Sequence, residues 1–348
     1  MKKINLNLRG LVKMSRNFKC FSIFIVIALI GVLFSSLIVC AAPKWELKHA
    51  TYATAEHPYT KIAQGFADRI FKATNGEVKI TVYPNAALCS GTDQFTSTVM
   101  GVADVTDLLS DYLVGKIDMI GLPSLPMAFD ASKSGIVGEE AREILTNRLL
   151  QENLVYLYTY NYLPNVLFLK DKKESLADMK GLKVRASGIF PIEMLQAVGM
   201  VPVKMSTSDI YMAVETKLIE GAATGVLSWR SNKLNEILPY IRRTPVPCVG
   251  FVVMNKDVYD SMPKNVQDVI IDEAKKYSVI ANKLIHEAEA NVLKKAVEEW
   301  GCTILQWSDA DIQTLKEAGI KIRDEYLNKS DKDALEFWEE LKKYPFEF

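Results

Sequence analysis

Few residues of this chain are of a type and spacing that could make or break a bond. The histidines stand at 49, 57 and 286, and beyond the first 41 residues the cysteines are Cys89, Cys248 and Cys302, without CxxC spacing. An odd count with no close pairs argues against a zinc site and against a disulfide framework. One bridge stays open, but three small buried side chains is the simpler reading. GxSxG, HExxH, GxGxxG and GxxxxGK[ST] are all absent, so a nucleophile elbow, a zinc hydrolase and a phosphate cradle lack support. No catalytic residue, metal ligand set or cofactor is therefore assigned. The pairs Glu139-Glu140 and Glu298-Glu299 lie in helical patterns and read as solvated faces.

Two side chains carry a binding chemistry instead. His57, in "AEHPY", lies in a loop between a strand and a helix, and loops at the carboxyl ends of strands in open α/β sheets face the ligand crevice. His286, on a long helix, reads as a surface or satisfied core residue. Arg185, in "GLKVRASG", ends a short strand-like run just before a Ser-Gly turn. A guanidinium is planar, stays charged and offers parallel N–H donors that match a carboxylate. The octapeptide alone also fits a surface arginine on an edge strand.

The elements that would position these residues alternate. "WELKHATYA" reads as a strand, residues 58–73 as a helix opened by Pro58 and closed by "TNG", and "EVKITVYP" as a strand stopped by Pro84. "ADVTDLL", a helix around 138–150, "LVYLYTYN", "VLFLK" and "LKVRA" follow, then helices at 191–198 and 208–219, the second led by Ser206 and Thr207 as caps. The tyrosines of "YLYTYNY" alternate as strand residues and read mostly as core. "CVGFVVMN" reads as a buried strand, and Pro263 opens a helical pattern that lasts to Trp300. At about 1.5 Å per residue such a helix would exceed about 50 Å, so it bends or touches two domains. Strands separated by helices predict an α/β fold.

Residues 1–41 hold six basic and no acidic residues and run into the apolar stretch Phe21–Val39 and small Ala41 and Ala42, the pattern of a secretory signal. Three fates are open to it: cleavage after Ala41, lipid modification of Cys40, or retention as an anchor. Met14 is a second candidate start beside Met1. Without this segment 36 basic residues face 42 acidic ones, which argues against nucleic acid as a partner.

The order of motifs "SLADMKGLKVRASG", "EMLQAVGMVPVKM" and "SDIYMAVETKLIEGAATG" resembles the solute-binding subunits of TRAP transporters, the tripartite ATP-independent periplasmic class, of C4-dicarboxylate type. "HPYTKIAQGFADRIFKATNGEVKITVYPNAAL" and "VVMNKDVYDSMPKNVQDVI" extend the resemblance to nearly the whole chain beyond the leader. It implies two α/β domains of periplasmic-binding-protein type that close at a hinge over one organic acid, with a long helix crossing both. They would comprise 42–162 with 250–290, and 163–249 with 291–348 including C-terminal helices. It further implies a periplasmic protein handing its acid to a membrane permease driven by an ion gradient. A tethered sensor using the same cleft is the rival, and a hydrolase the third reading.

In that family the arginine of GLKxR pairs with the ligand carboxylate, and Arg185 occupies its position. Asn165 and Thr224 stand where many members carry a second arginine and an asparagine. One fixed positive charge then remains, which fits a monocarboxylate better than a dicarboxylate. By position Tyr52 and Ala53, Thr207, Trp229 and Phe190 are further wall candidates, Trp229 as an apolar plate for a ligand body. Nothing in the residues fixes the acid, a bound cation or the oligomeric state.

Overall fold

Which strands lie at the centre of the molecule follows from where apolar runs replace alternation. The computed structural model describes residues 42–130, 138–162, 164 and 166–346; the apolar leader with Cys40, and Asn165, lie outside them. One sheet comprises β1 (Trp45–Ala50), β2 (Val78–Tyr83), β3 (Val105–Leu109), β4 (Leu154–Tyr162) and β10 (Cys248–Asn255). Its order is β2-β1-β3-β10-β4, with β1 parallel to β2 and β3, and β10 antiparallel to β3 and β4. The strands β3, β4 and β10 are buried at every position, which is why they are mostly apolar and aromatic rather than alternating; Thr106, Asp107, Thr159 and Asn161 are buried polar exceptions.

The other sheet comprises β5 (Val166–Leu169), β6 (Lys183–Ala186), β7 (Val201–Lys204), β8 (Gly221–Thr224), β9 (Tyr240–Arg243) and β11 (Thr303–Ile304), in the order β11-β9-β5-β8-β6-β7. β6 runs parallel to β7 and β8. The chain passes from the first sheet to the second between Tyr162 and Val166, returns between Arg243 and Cys248, and crosses again along a long helix.

Helices cover and link the sheets, among them α1 (Pro58–Ala73), α2 (Ser110–Leu113), α3 (Ile189–Ala197), α4 (Val226–Ser231), α5 (Lys264–Glu298), α6 (Asp309–Leu327) and α7 (Lys332–Leu341). The predicted pattern at 263–300 is α5, 35 residues long. Its first part packs Tyr277, Ala281 and Ile285 into the core of the first sheet, and its end packs Leu293 and Ala296 into that of the second. Asn282 fastens it midway: its Oδ1 accepts from Asn161 N at 3.0 Å, and its Nδ2 donates to Thr159 O at 2.8 Å. α6 lies against α3, whereas α7 reaches back to Asp118–Gly121 and Arg142–Leu150.

Several short elements differ from the sequence reading. The predicted helix at 208–219 is a 3-10 turn, Thr207–Asp209, followed by Ile210–Glu215, and Ser206 makes no side-chain cap. It stops early because Lys217 turns with φ of 60° and the chain must extend into β8. Cys248 and Cys302 are buried as expected, but Cys89 is half-exposed, and all three are free thiols. No helix among the described residues is long and apolar enough to cross a membrane.

Candidate functional site

The loops at the carboxyl ends of β1, β3, β6 and β8 converge on two adjoining chambers between the sheets. The inner one, about 30 Å³, is lined by Asp111 and Tyr112 of α2, by Tyr162, Arg185 and Thr224, and by Cys248, among others. The outer one, about 280 Å³, is lined mainly by the loop after β1, the Asn85–Ala86 turn and a set of serines. Tyr52, Tyr112, Thr207 and Ser228 border both.

Arg185 is 1% exposed although it carries a full charge. β6 delivers it at its third residue, where the flanking parallel strands β7 and β8 bury the side chain. Its Nε donates to Met205 O at 3.1 Å, Nη1 to Ala223 O at 3.0 Å and Nη2 to Thr207 Oγ1 at 3.2 Å. These are neutral oxygens, and no ion pair of Arg185 occurs among the described residues. Burial presses its pKa below the ordinary value, while Tyr112, Asp111 and Asp209 pull it back up. Three of the five N–H donors are committed in this way, leaving a second hydrogen on each terminal nitrogen. The Tyr112 hydroxyl stands close enough to meet one of them.

Across the cleft, Ser187 Oγ donates to Asp111 Oδ2 at 2.8 Å, joining the first residue beyond β6 to the second residue beyond β3. Beside it the backbone comes closer still: a Cβ added to Gly188 would stand 2.5 Å from Asp111 O. Tyr52 and Tyr162 face each other with hydroxyls 3.2 Å apart, and burial pushes both well above the usual phenol range. Behind them lies Asp107, fully buried, whose carboxyl burial raises to about 7 against hydrogen bonds from Gln94 and Tyr160. The Cys248 thiol is likewise pushed well up by burial, which makes it a neutral wall rather than a nucleophile.

The outer chamber is built on loops held rigid by their own hydrogen bonds. Thr54 O accepts from His57 N at 3.0 Å and from Thr60 Oγ1 at 2.8 Å. His57 caps α1, its Nδ1 accepting from Tyr59 N at 3.1 Å. Asn85 and Ala86 both adopt left-handed backbone, φ 59° and 54°. Alanine takes that conformation at a cost, and Asn85 N to Ala53 O at 2.8 Å helps hold it.

The sequence therefore named residues of both kinds. Arg185, Tyr52, Thr207 and Thr224 line the inner chamber, and His57 and Ala53 the outer one. Trp229 and Phe190 are not brought to either. Trp229 is fully buried, stacked on Phe168 at 4.6 Å with its Nε1 donating to Leu238 O at 3.2 Å. Phe190 is also fully buried, edge-on to Tyr326 at 4.9 Å. Both serve the core. The sequence reading missed Asp111, Tyr112, Tyr162, Ser187 and Ser228. The rule that flagged His57, a loop at a strand's carboxyl end, applies equally to Asp111 and Tyr112 after β3. Arg185 is the sole arginine or lysine among the residues lining the two chambers, and no cluster of three or more metal-ligating side chains occurs among the described residues.

Residues 49–330 match the bacterial extracellular solute-binding proteins, family 7 (DctP). The chain is 23% identical to the 2,3-diketo-L-gulonate-binding periplasmic protein of Escherichia coli, over 76% of this chain and 82% of that one. It is 24% identical to the C4-dicarboxylate-binding periplasmic protein of Rhodobacter capsulatus, over 74% and 78%. Among solved structures, a Bordetella pertussis extracytoplasmic solute receptor binding pyroglutamic acid superposes with a TM-score of 0.80 at 19% identity. The superposition covers 85% of this chain and 99% of that one.

Proposed function

The chain belongs to family 7 of the bacterial extracellular solute-binding proteins, the solute-binding proteins of TRAP transporters, and from that premise we propose that its cleft captures a small monocarboxylate. The observation that carries this reading is Arg185: a guanidinium buried among neutral oxygens, with donors left at the cavity. A carboxylate suits the hydrogens that these acceptors leave, with Tyr112 beside it, and places a negative charge directly against the guanidinium. A second carboxylate would find no second cation in either chamber. The relatives named above bind acids of both kinds, by their descriptions.

Residues 42–162 with 250–290 form one lobe and 163–249 with 291–348 the other, with α7 as a strap back onto the first. Closure brings Ser187 and Gly188 onto Asp111, and α5 and the two strand crossovers serve as the hinge. The leader exports the protein, and the loaded form delivers its acid to membrane permease subunits. Family 7 is a family of binding proteins, and selection of the acid needs no bond to be broken.

Thermal unfolding in the presence of succinate, L-pyroglutamate, D-glucuronate and cyclohexanecarboxylate tests the reading, since a ligand at 100 times its Kd adds about 2.7 kcal/mol of stability. At least one monocarboxylate is expected to raise the midpoint more than succinate does, and Arg185→Ala to abolish the rise. A rise that survives Arg185→Ala removes the basis of the proposal.

A further inference from the structure

The exposed side of α5 carries an apolar patch at its middle. The helix spans Lys264–Glu298, so Ala281 is its central residue, and around it Val279 is 66% exposed, Ile280 37% and Leu284 41%. An apolar side chain exposed singly is ordinary, but these three are neighbours on one helix face. The fold does not need them there, since Ala281, Asn282 and Ile285 on the other side already fasten α5 to the first sheet.

Charges frame the patch in a definite order. Lys276, Ile280, Lys283 and Glu287 follow one another at spacings of four, three and four, the seam along which two helices meet. At one end Lys276 and Arg69 share the Glu273 carboxylate, at 2.8 Å and 2.5 Å, which leaves one positive charge over. At the other end the Glu287 side chain is 60% exposed and stands 3.8 Å from Lys283, beyond hydrogen-bond distance. A surplus cation and a loosely held carboxylate therefore lie on opposite sides of an apolar centre.

Such an order complements itself when the second helix runs the other way. An antiparallel copy of α5, related by a twofold axis between Ala281 and Asn282, sets Lys276 of each copy against Glu287 of the other and Ile280 against the stem of Lys283, each contact made twice. Val279 and Leu284 widen the apolar centre on either flank. A parallel copy in register would set Lys276 on Lys276 and Glu287 on Glu287. We propose that this face of α5 docks a second copy of the chain, antiparallel, with Ile280 at the centre and Lys276 and Glu287 at the ends. From Lys276 to Glu287 the seam is about 17 Å long, and a contact built around it falls short of the about 1,200 Å² of a lasting interface. The dimer is therefore transient, with a dissociation constant of about 10–100 µM, and it is independent of what the cleft holds.

Sedimentation velocity of the exported protein, over a concentration series that spans this constant, tests the proposal. Reversible dimerisation is expected, and Ile280→Lys, which sets an ammonium against Lys283 of the second copy, should weaken it at least about tenfold. Lys276→Glu and Glu287→Lys should each do the same, because like charges then meet at both ends of the seam. Mixed in equal amounts, those two variants should associate again, since both end contacts of the mixed pair join opposite charges. All three changes lie on the exposed face, so the melting midpoint should stay close to that of the parent. A parent chain that is monomeric throughout the series, or a dimer that these variants leave intact, overturns the proposal, and so does a mixture that fails to associate. If the chain instead floats with vesicles of phosphatidylethanolamine and phosphatidylglycerol, and Ile280→Lys prevents it, the face belongs to a membrane surface and the proposal is wrong.

Discussion

Arg185 on β6 and Arg242 on β9 are both buried guanidinia of the second sheet, and neither has an ion pair among the described residues. Arg242 gives Nη1 to Gln306 O at 2.7 Å and Nη2 to Lys173 O at 2.5 Å and Glu174 O at 2.7 Å. Its plane lies over the Trp307 ring, 4.3 Å from the centroid. Three backbone oxygens from two separate segments converge on one side chain, and an aromatic face closes it off. Arg185 has a comparable set of neutral acceptors, but its remaining hydrogens meet a void shared by both sheets. Burial without a counter-ion thus does not by itself mark a binding site. What distinguishes the two is whether the protein has already surrounded the charge or left one side open.

Substituting each arginine separates these roles, and the largest effect belongs to Arg185→Ala. Truncating one partner of a buried charge pair costs about 2–5 kcal/mol, or about 30-fold to about 4,000-fold in affinity. Arg185→Lys should recover little of it, because an ammonium lacks the parallel donors. Calorimetry with the best-bound monocarboxylate reads the loss. Arg242→Ala should instead lower stability by about 2–4 kcal/mol in urea unfolding, since buried carbonyls lose a charged donor, while the folded fraction binds normally. An equal affinity loss at both positions would erase the distinction.

How much of this contrast was legible in the sequence depends on how local its causes are. Arg185 sat in an ordered set of motifs, and α1 and β10 were framed by Pro58 and by an unbroken apolar run, so both were read to the residue. Trp229 and Phe190 were misread as walls because a large aromatic in an apolar stretch suits a pocket and a core equally. Phe168, which Trp229 stacks on, is 61 positions away in the chain, and no spacing rule reaches it. β8, "GAAT", is too small and glycine-led to announce a strand, yet its smallness is functional: Gly221 lets β5 approach, with Phe168 O 2.7 Å from where a Cβ would stand. Asp111 and Tyr112 fall under the same strand-end rule as His57, but what gives them a role, Ser187 and Arg185, lies on the opposite sheet and leaves no local mark.

The comparison sharpens if the open side of Arg185 closes only when the lobes meet. Gly188 is extended, φ −147° and ψ −169°, so alanine fits its backbone; the obstacle is Asp111 O, 2.5 Å from the added carbon. Overpacking of this kind costs about 1–3 kcal/mol, and it falls on the closed form alone. Gly188→Ala should therefore weaken binding about 5-fold to about 150-fold with the unliganded melting midpoint nearly unchanged. Small-angle scattering with saturating acid should show a less compact complex. A variant that binds as the parent does would mean that this contact plays no part in closure.

Ser187→Ala gives the smallest effect and the cleanest one, because it removes a single hydrogen bond without adding an atom. Ser187 Oγ reaches Asp111 Oδ2 at 2.8 Å from the half-buried rim of the inner chamber. A bond of this sort contributes about 1 kcal/mol, or about fivefold in affinity, if it forms only on closure. The loss should appear as faster ligand release with the association rate unchanged, since the open form that meets the acid has no such bond to lose. Arg185→Ala acts on every carboxylate through charge, whereas Ser187→Ala should weaken all bound acids by the same factor whatever their bodies. A loss that varied from acid to acid would make Ser187 a ligand contact, and would move Asp111 from the latch of the cleft to its recognition surface.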